Sequence, residues 1–180
     1  MKCLLLALGL TLICGVHTIS VSQTMKDLEV QKLAGPWHSM VMAASDPTLL
    51  ETENAPMRIH IKEIQPTPKD NLEMVLLKME NDRCVKRKIL AQKTENPAEF
   101  KISYLSENKV FMMDTDYKTY LFICMENTTT SQQNVVCQYL ARTMKADTEV
   151  MEKFKELLKT LPQHIQVFLD LTQREERCRV

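Results

Sequence analysis

About eight short apolar or alternating runs, parted by polar turns, dominate this chain and leave it little choice of fold class. Alternation with a period of two residues is what a strand shows when one face is buried and the other is wet. The first run opens at Trp37, continues through Met40-Val41-Met42-Ala43-Ala44 and ends near Ser45. After a long polar loop, from Asp46-Pro47 to Asn54-Ala55-Pro56, runs follow at 57–61, 72–76, 84–91, 100–104, 110–113, 120–125 and 135–141. Strands this short and this closely spaced predict an antiparallel barrel or sandwich.

One segment breaks the period. From Asp147 onward the apolar residues fall at Val150, Met151, Phe154, Leu157, Leu158 and Leu161, the spacing of a helix with one buried stripe. Asp147 or Thr148 caps its start, Glu149 and Glu152 suit its positive end, and Pro162 stops it. A single helix after all the main strands must cover the outside of the sheet. Cys137 and Tyr139, on the face opposite Gln138 and Leu140, are candidates for the surface beneath it. Residues 164–169 form one last short strand before a charged tail. At 180 residues, with no repeat or linker, the chain is one domain.

Before the first strand stands Leu33-Ala34-Gly35-Pro36-Trp37, which holds the only tryptophan. Gly35 permits a backbone conformation barred to other residues, and Pro36 fixes the next φ. A tight turn followed by a large buried ring is how a barrel seals one end.

Residues 1–18 read as a secretory leader, with Lys2 as its charge, 3–16 as its apolar region and Val16-His17-Thr18 as its cleavage site; the domain proper is then 19–180. No other stretch approaches the ~20 apolar residues of a membrane span, so the expectation is a secreted, extracellular protein without membrane insertion. Lys plus Arg and Asp plus Glu balance at 23 each, which provides no basic field for nucleic acid. Of the six cysteines, Cys3 and Cys14 leave with the leader. Four in an oxidising compartment suggest two bridges, with three connectivities open. Cys124 and Cys137 flank a polar loop between neighbouring strands, so pairing them staples a hairpin and leaves Cys84 for Cys178. No spacing resembles a zinc site, and no cofactor is called for. No thiol would then remain for catalysis, and His38, His60 and His164 are scattered. The chain reads as a binder, not an enzyme.

Two further motifs sharpen the fold. Asp114-Thr115-Asp116-Tyr117 lies in the turn between two strands, where Asp and Thr side chains bond backbone amides. Arg142 ends the last main strand, placed to lie across a tryptophan face at the closed barrel end. Gly35 and Trp37 early, Thr115, Asp116 and Tyr117 past the middle, and Arg142 late resemble the three-part signature of the lipocalins, and within that family the likeness is to the whey carriers. The resemblance implies an all-β fold: an eight-stranded antiparallel up-and-down barrel with one C-terminal α-helix packed outside and a short final strand. It also implies the bridges Cys84–Cys178 and Cys124–Cys137. The unpaired cysteine of some relatives is replaced here by Tyr139.

A barrel of eight strands leaves room for one small ligand. Alternation would bring Met57, Ile59, Leu72, Met74, Leu76, Ile89, Ile102, Val110, Met112, Ile123 and Met125 to its inner wall. Apolar walls with several methionines select long hydrophobic molecules of imprecise shape, and the family's cargo is retinol or a fatty acid. Lys78 and Arg87 match mouth residues that meet a carboxylate. Glu107, in the expected loop Ser106-Glu107-Asn108-Lys109, matches a glutamate that gates the mouth with pH. Relatives also form homodimers, through the regions around Glu51 and 164–168 here. Asn127-Thr128-Thr129 is a glycosylation sequon, so a secreted signalling glycoprotein stands as the alternative to a carrier.

Overall fold

The computed structural model describes residues 24–128 and 134–179. The expected leader lies outside them, as does Thr129 of the sequon. In chain order the strands are β1 (Gly35–Pro36), β2 (His38–Ala44), β3 (Ile59–Pro66), β4 (Leu72–Glu80), β5 (Arg83–Lys93), β6 (Glu99–Tyr104), β7 (Ser106–Thr115), β8 (Tyr120–Asn127) and β9 (Val135–Ala141). Helix α1 (Thr148–Lys159) and strand β10 (Gln166–Asp170) follow.

All pairings are antiparallel, in the order β1-β3-β4-β5-β6-β7-β8-β9-β2-β10. β1 and β2 are one run of chain interrupted at Trp37. Its first half pairs with β3, and its second half with β9. The sheet therefore curls until its two ends meet in a single strand, and the Trp37 N–H, donating 3.0 Å to the Lys62 carbonyl, makes the join. The ladders are unequal in length. β4 and β5 stay in register from Leu72↔Ala91 to Glu80↔Arg83, whereas β5 and β6 share only Gln92↔Lys101 and Lys93↔Phe100.

Beyond Trp37 no ladder links β2 to β3, and side chains stitch the seam instead. Ser39 Oγ accepts from the Ile61 N–H (3.0 Å) and donates to Gln138 Oε1 (2.8 Å), while Gln138 Nε2 donates to the Ile59 carbonyl (3.0 Å). All four residues are buried, so each bond satisfies a group that water cannot reach.

Apolar residues separate onto two faces. Leu33, Trp37, Ile64, Leu72, Phe100, Met112 and Leu121 are among those filling the interior. Outside, Met40, Phe111, Phe122, Cys137 and Tyr139 form a second core with Met151, Phe154 and Leu158 of α1. β9 is consequently buried at every position, and β2 nearly so. Asp147 caps α1 by accepting from the Glu149 and Val150 N–H groups, and the Phe154 ring sits 5.1 Å from Phe122. Lys153 pins the helix to the sheet at Asp114 (2.7 Å) and the Tyr120 hydroxyl (2.5 Å).

Both bridges, Cys84–Cys178 and Cys124–Cys137, are formed. The first ties down a tail whose charges are also engaged. Glu176 takes two bonds from the Arg58 guanidinium (2.6 and 2.8 Å) and lies 3.3 Å from His60 Nε2, with all three side chains at most 5% exposed. Burial alone would raise the Glu176 pKa, but hydrogen bonding to His60 and Arg58 and their positive charge outweigh it and hold the carboxyl at about 2. Arg179 donates to the carbonyls of Ser39 and Leu171.

Of the boundaries that differ from expectation, two bear on the site. Met57 precedes β3, and Ser106-Glu107-Asn108-Lys109 is not a loop but the start of β7. The turn is shorter than its polar sequence suggested because Leu105 takes a positive φ of 61°. Asn108 Nδ2 then reaches back to the Tyr104 and Ser106 carbonyls, both at 2.8 Å.

Candidate functional site

The closed end is built around Trp37, fully buried, with its indole N–H donating 2.9 Å to the Leu33 carbonyl. The Arg142 guanidinium lies 3.7 Å from the ring centroid. Its N–H groups also reach the carbonyls of Lys32, Ala34, Pro36 and Tyr117 at 2.9–3.2 Å. Gly35 has φ +107°, and a Cβ there would stand 3.3 Å from Arg142 Nη1, so the position needs glycine twice over. Asp116 Oδ1 accepts from the N–H groups of Lys118, Thr119 and Tyr120, and Thr115 Oγ1 donates to the Tyr120 carbonyl. These bonds shape the turn that offers the Tyr117 carbonyl to Arg142. The signature residues thus meet in one cap, which is a plug and not a reaction centre.

Toward the other end, the barrel encloses a slender apolar chamber walled by Ile59, Ile61, Met74, Leu76, Ile89, Val110, Ile123, Met125, Val136 and Gln138. The centre of a water-sized sphere is free over only about 20 Å³, where a single water needs ~10–15 Å³. A larger guest must push side chains aside. Met74 and Met125, unbranched thioethers with several rotatable bonds, do so at least cost.

Of the expected wall residues, Ile59, Met74, Leu76, Ile89, Val110, Ile123 and Met125 border this space. Leu72, Ile102 and Met112 belong to the packed interior, and Met57 packs against its edge. Ile61, Val136 and Gln138 were not anticipated. Ile61 follows Ile59 by two residues, and Val136 and Gln138 share the inward phase of β9, so the alternation already carried them.

The charged residues of the mouth are otherwise engaged. Lys78 is buried, not solvated, and donates to the carbonyls of Ala55 (2.6 Å) and Asn54 (3.2 Å). Desolvation lowers its pKa. Arg87 is exposed and forked onto Glu80 at 2.6–3.0 Å. Glu107 is exposed as well; it accepts from Ser103 Oγ (2.8 Å) and borders an outer groove with Lys88 and Lys101. Asn127, last residue of β8, donates its amide to Ser106 Oγ (2.5 Å) and Asn108 Oδ1 (3.2 Å).

Among the described residues no group of three His, Cys, Asp or Glu side chains gathers to hold a metal. A curled antiparallel sheet around an apolar chamber makes the molecule a barrel-type binding protein for small hydrophobic ligands. The chain belongs to the lipocalins: the model of the lipocalin / cytosolic fatty-acid binding protein family matches residues 34–175.

Its relatives narrow the branch. It is 55% identical to beta-lactoglobulin-1 of Equus asinus, over 89% of this chain and 99% of that one. Human glycodelin is 50% identical, over 99% of both. Among solved structures, the possum milk whey lipocalin trichosurin, crystallised at pH 4.6 with bound 4-ethylphenol, superposes with a TM-score of 0.69 at 27% identity. That match covers 79% of this chain and 99% of trichosurin.

Proposed function

We propose that this protein is a secreted carrier that takes slender hydrophobic molecules, retinol or a fatty acid among them, into the barrel, and that it serves as a milk whey protein. The observation that carries the reading is the chamber wall, apolar at every position but Gln138 and including two methionines that can re-pack around a guest. The leader read over 1–18 and the two disulfides support secretion. The beta-lactoglobulin relatives support the whey assignment.

A bound carboxylate head would lie at the mouth, drawing Lys78 from its loop carbonyls or Arg87 from Glu80. For exposed Arg87 the exchange gains only ~0–1 kcal/mol, and buried Lys78 must give up two carbonyl partners, so the apolar tail supplies most of the affinity. Glu107 acts as the gate in this reading. It lies outside beside Lys88 and Lys101, next to the turn that would fold over the mouth. A homodimer would form through the region around Glu51 and the outer edge of β10, which ends the sheet. Titration of Trp37 fluorescence with retinol and with a fatty acid, at two pH values, tests the carrier reading; no saturable change with either would end it.

The kinship with glycodelin favours a second reading, a signalling glycoprotein that acts through its surface and a glycan on Asn127. Mass spectrometry of the secreted protein separates the two. A carrier needs no sugar, whereas the alternative requires an occupied Asn127.

A further inference from the structure

Gln138 is the one polar side chain among those that wall the chamber, and it is 3% exposed. Its position on β9, paired with Ile123 and Met42, turns it inward. The amide carbonyl is committed to Ser39 Oγ, and one N–H is committed to the Ile59 carbonyl. A primary amide has two N–H groups. The second has no acceptor among the described residues, and a donor that faces an apolar chamber with room for at most one water is poorly satisfied. An apolar guest that carries an oxygen to this point repays that cost, and a pure hydrocarbon does not.

Resting on the carrier reading, we propose that Gln138 is a specificity-determining residue: its spare N–H selects slender guests bearing a neutral oxygen, a phenol, alcohol or carbonyl, at the end that enters first. An anion is disfavoured at the same place. Among the described residues no basic side chain borders the chamber, so a carboxylate there would be stripped of water without a countercharge. Acids accordingly keep their heads at the mouth, while neutral oxygenated guests enter head first. The seam across β2 and β3 explains how the amide is aimed, since Ser39 and Ile59 fix its plane from two strands.

The test compares 4-ethylphenol with ethylbenzene by calorimetric titration of the parent, Gln138→Met and Ser39→Ala. The parent favours the phenol beyond its intrinsic hydrophobic deficit. Gln138→Met reduces the phenol-to-hydrocarbon affinity ratio by about three- to tenfold, the worth of one hydrogen bond. Ser39→Ala frees the amide carbonyl and leaves Ile59 alone to hold its plane, so it lowers the same ratio by less than Gln138→Met does. An equal loss for both ligands in Gln138→Met assigns the residue to structure alone and overturns the proposal. A second readout needs no variant: the Gln138 side-chain amide protons of the ¹⁵N-labelled parent shift with 4-ethylphenol and not with ethylbenzene. Identical shifts with both overturn it too. If neither compound binds the parent, the carrier reading itself falls.

Discussion

Replacing Arg142 by lysine keeps the charge and removes the fork. In the structure the guanidinium stacks 3.7 Å from the Trp37 ring and serves four backbone carbonyls at once. A lysine ammonium is a point donor that cannot do both. The carbonyls of Lys32, Ala34 and Pro36 border solvent and are rehydrated on substitution, so together their bonds are worth about 1 kcal/mol. The Tyr117 carbonyl is partly buried, and losing both donors there costs about 1 kcal/mol more. The lost stacking on the indole adds about 1 kcal/mol. The expected destabilisation is thus about 3 kcal/mol, which at this chain length lowers the melting temperature by roughly 6–12 °C. Urea and thermal unfolding followed by circular dichroism measure it, and Trp37, the sole tryptophan, reports on the cap by the wavelength of its emission. A variant within about 0.5 kcal/mol of the parent, with emission unchanged, would refute the argument that Arg142 holds the closed end together.

Glu176 is ionised in the fold down to about pH 2, against an ordinary 4.5. A depressed pKa gives stability that is present above 4.5 and lost as pH falls through 2. Glu176→Gln should flatten the acid unfolding curve between those values. At neutral pH it should also cost about 3–5 kcal/mol, because Arg58 is left buried and unpaired. Breaking Cys84–Cys178 by a double serine substitution should cost about 2–5 kcal/mol in denaturant, since the bridge closes 94 residues of sequence. Met125→Ala should weaken retinol binding by more than Lys78→Met does, as read by fluorescence titration; the reverse order would mean that charge and not the apolar wall supplies the affinity.

The strands and the helix were legible because period and caps are local. Asp147 followed by a 3.6-residue stripe gives its meaning without any tertiary partner; α1 begins just after Asp147 and ends at Lys159, a turn short of Pro162. The cap of Trp37 and Arg142 was legible for a different reason: a glycine, a proline and a ring leave few alternatives within three residues. The mouth was not. Lys78 and Arg87 matched residues that meet a carboxylate at the mouth, and only the fold shows the Asn54 and Ala55 carbonyls arriving above one and Glu80 beside the other. Glu107 read as a loop residue because its neighbours are polar, yet one positive φ at Leu105 tightens the turn and carries the strand through it. The Arg58–Glu176 pair joins positions 118 residues apart and leaves no local trace. Nor does the amount of room inside the barrel follow from the pattern, since alternation tells which side chains face inward but not how far they meet.

The two-rung junction of β5 with β6 has a dynamic consequence. Along Arg83 to Leu90 the backbone of β5 has a strand on one flank only, and most of its side chains are wet. Protection against deuterium should therefore be lowest there and highest in β8 and β9, which lie between two ladders and beneath the helix. Opening along that weak hem should then offer a bound guest a second way out besides the rim, and a guest's release rate should rise when the two β5–β6 rungs are weakened.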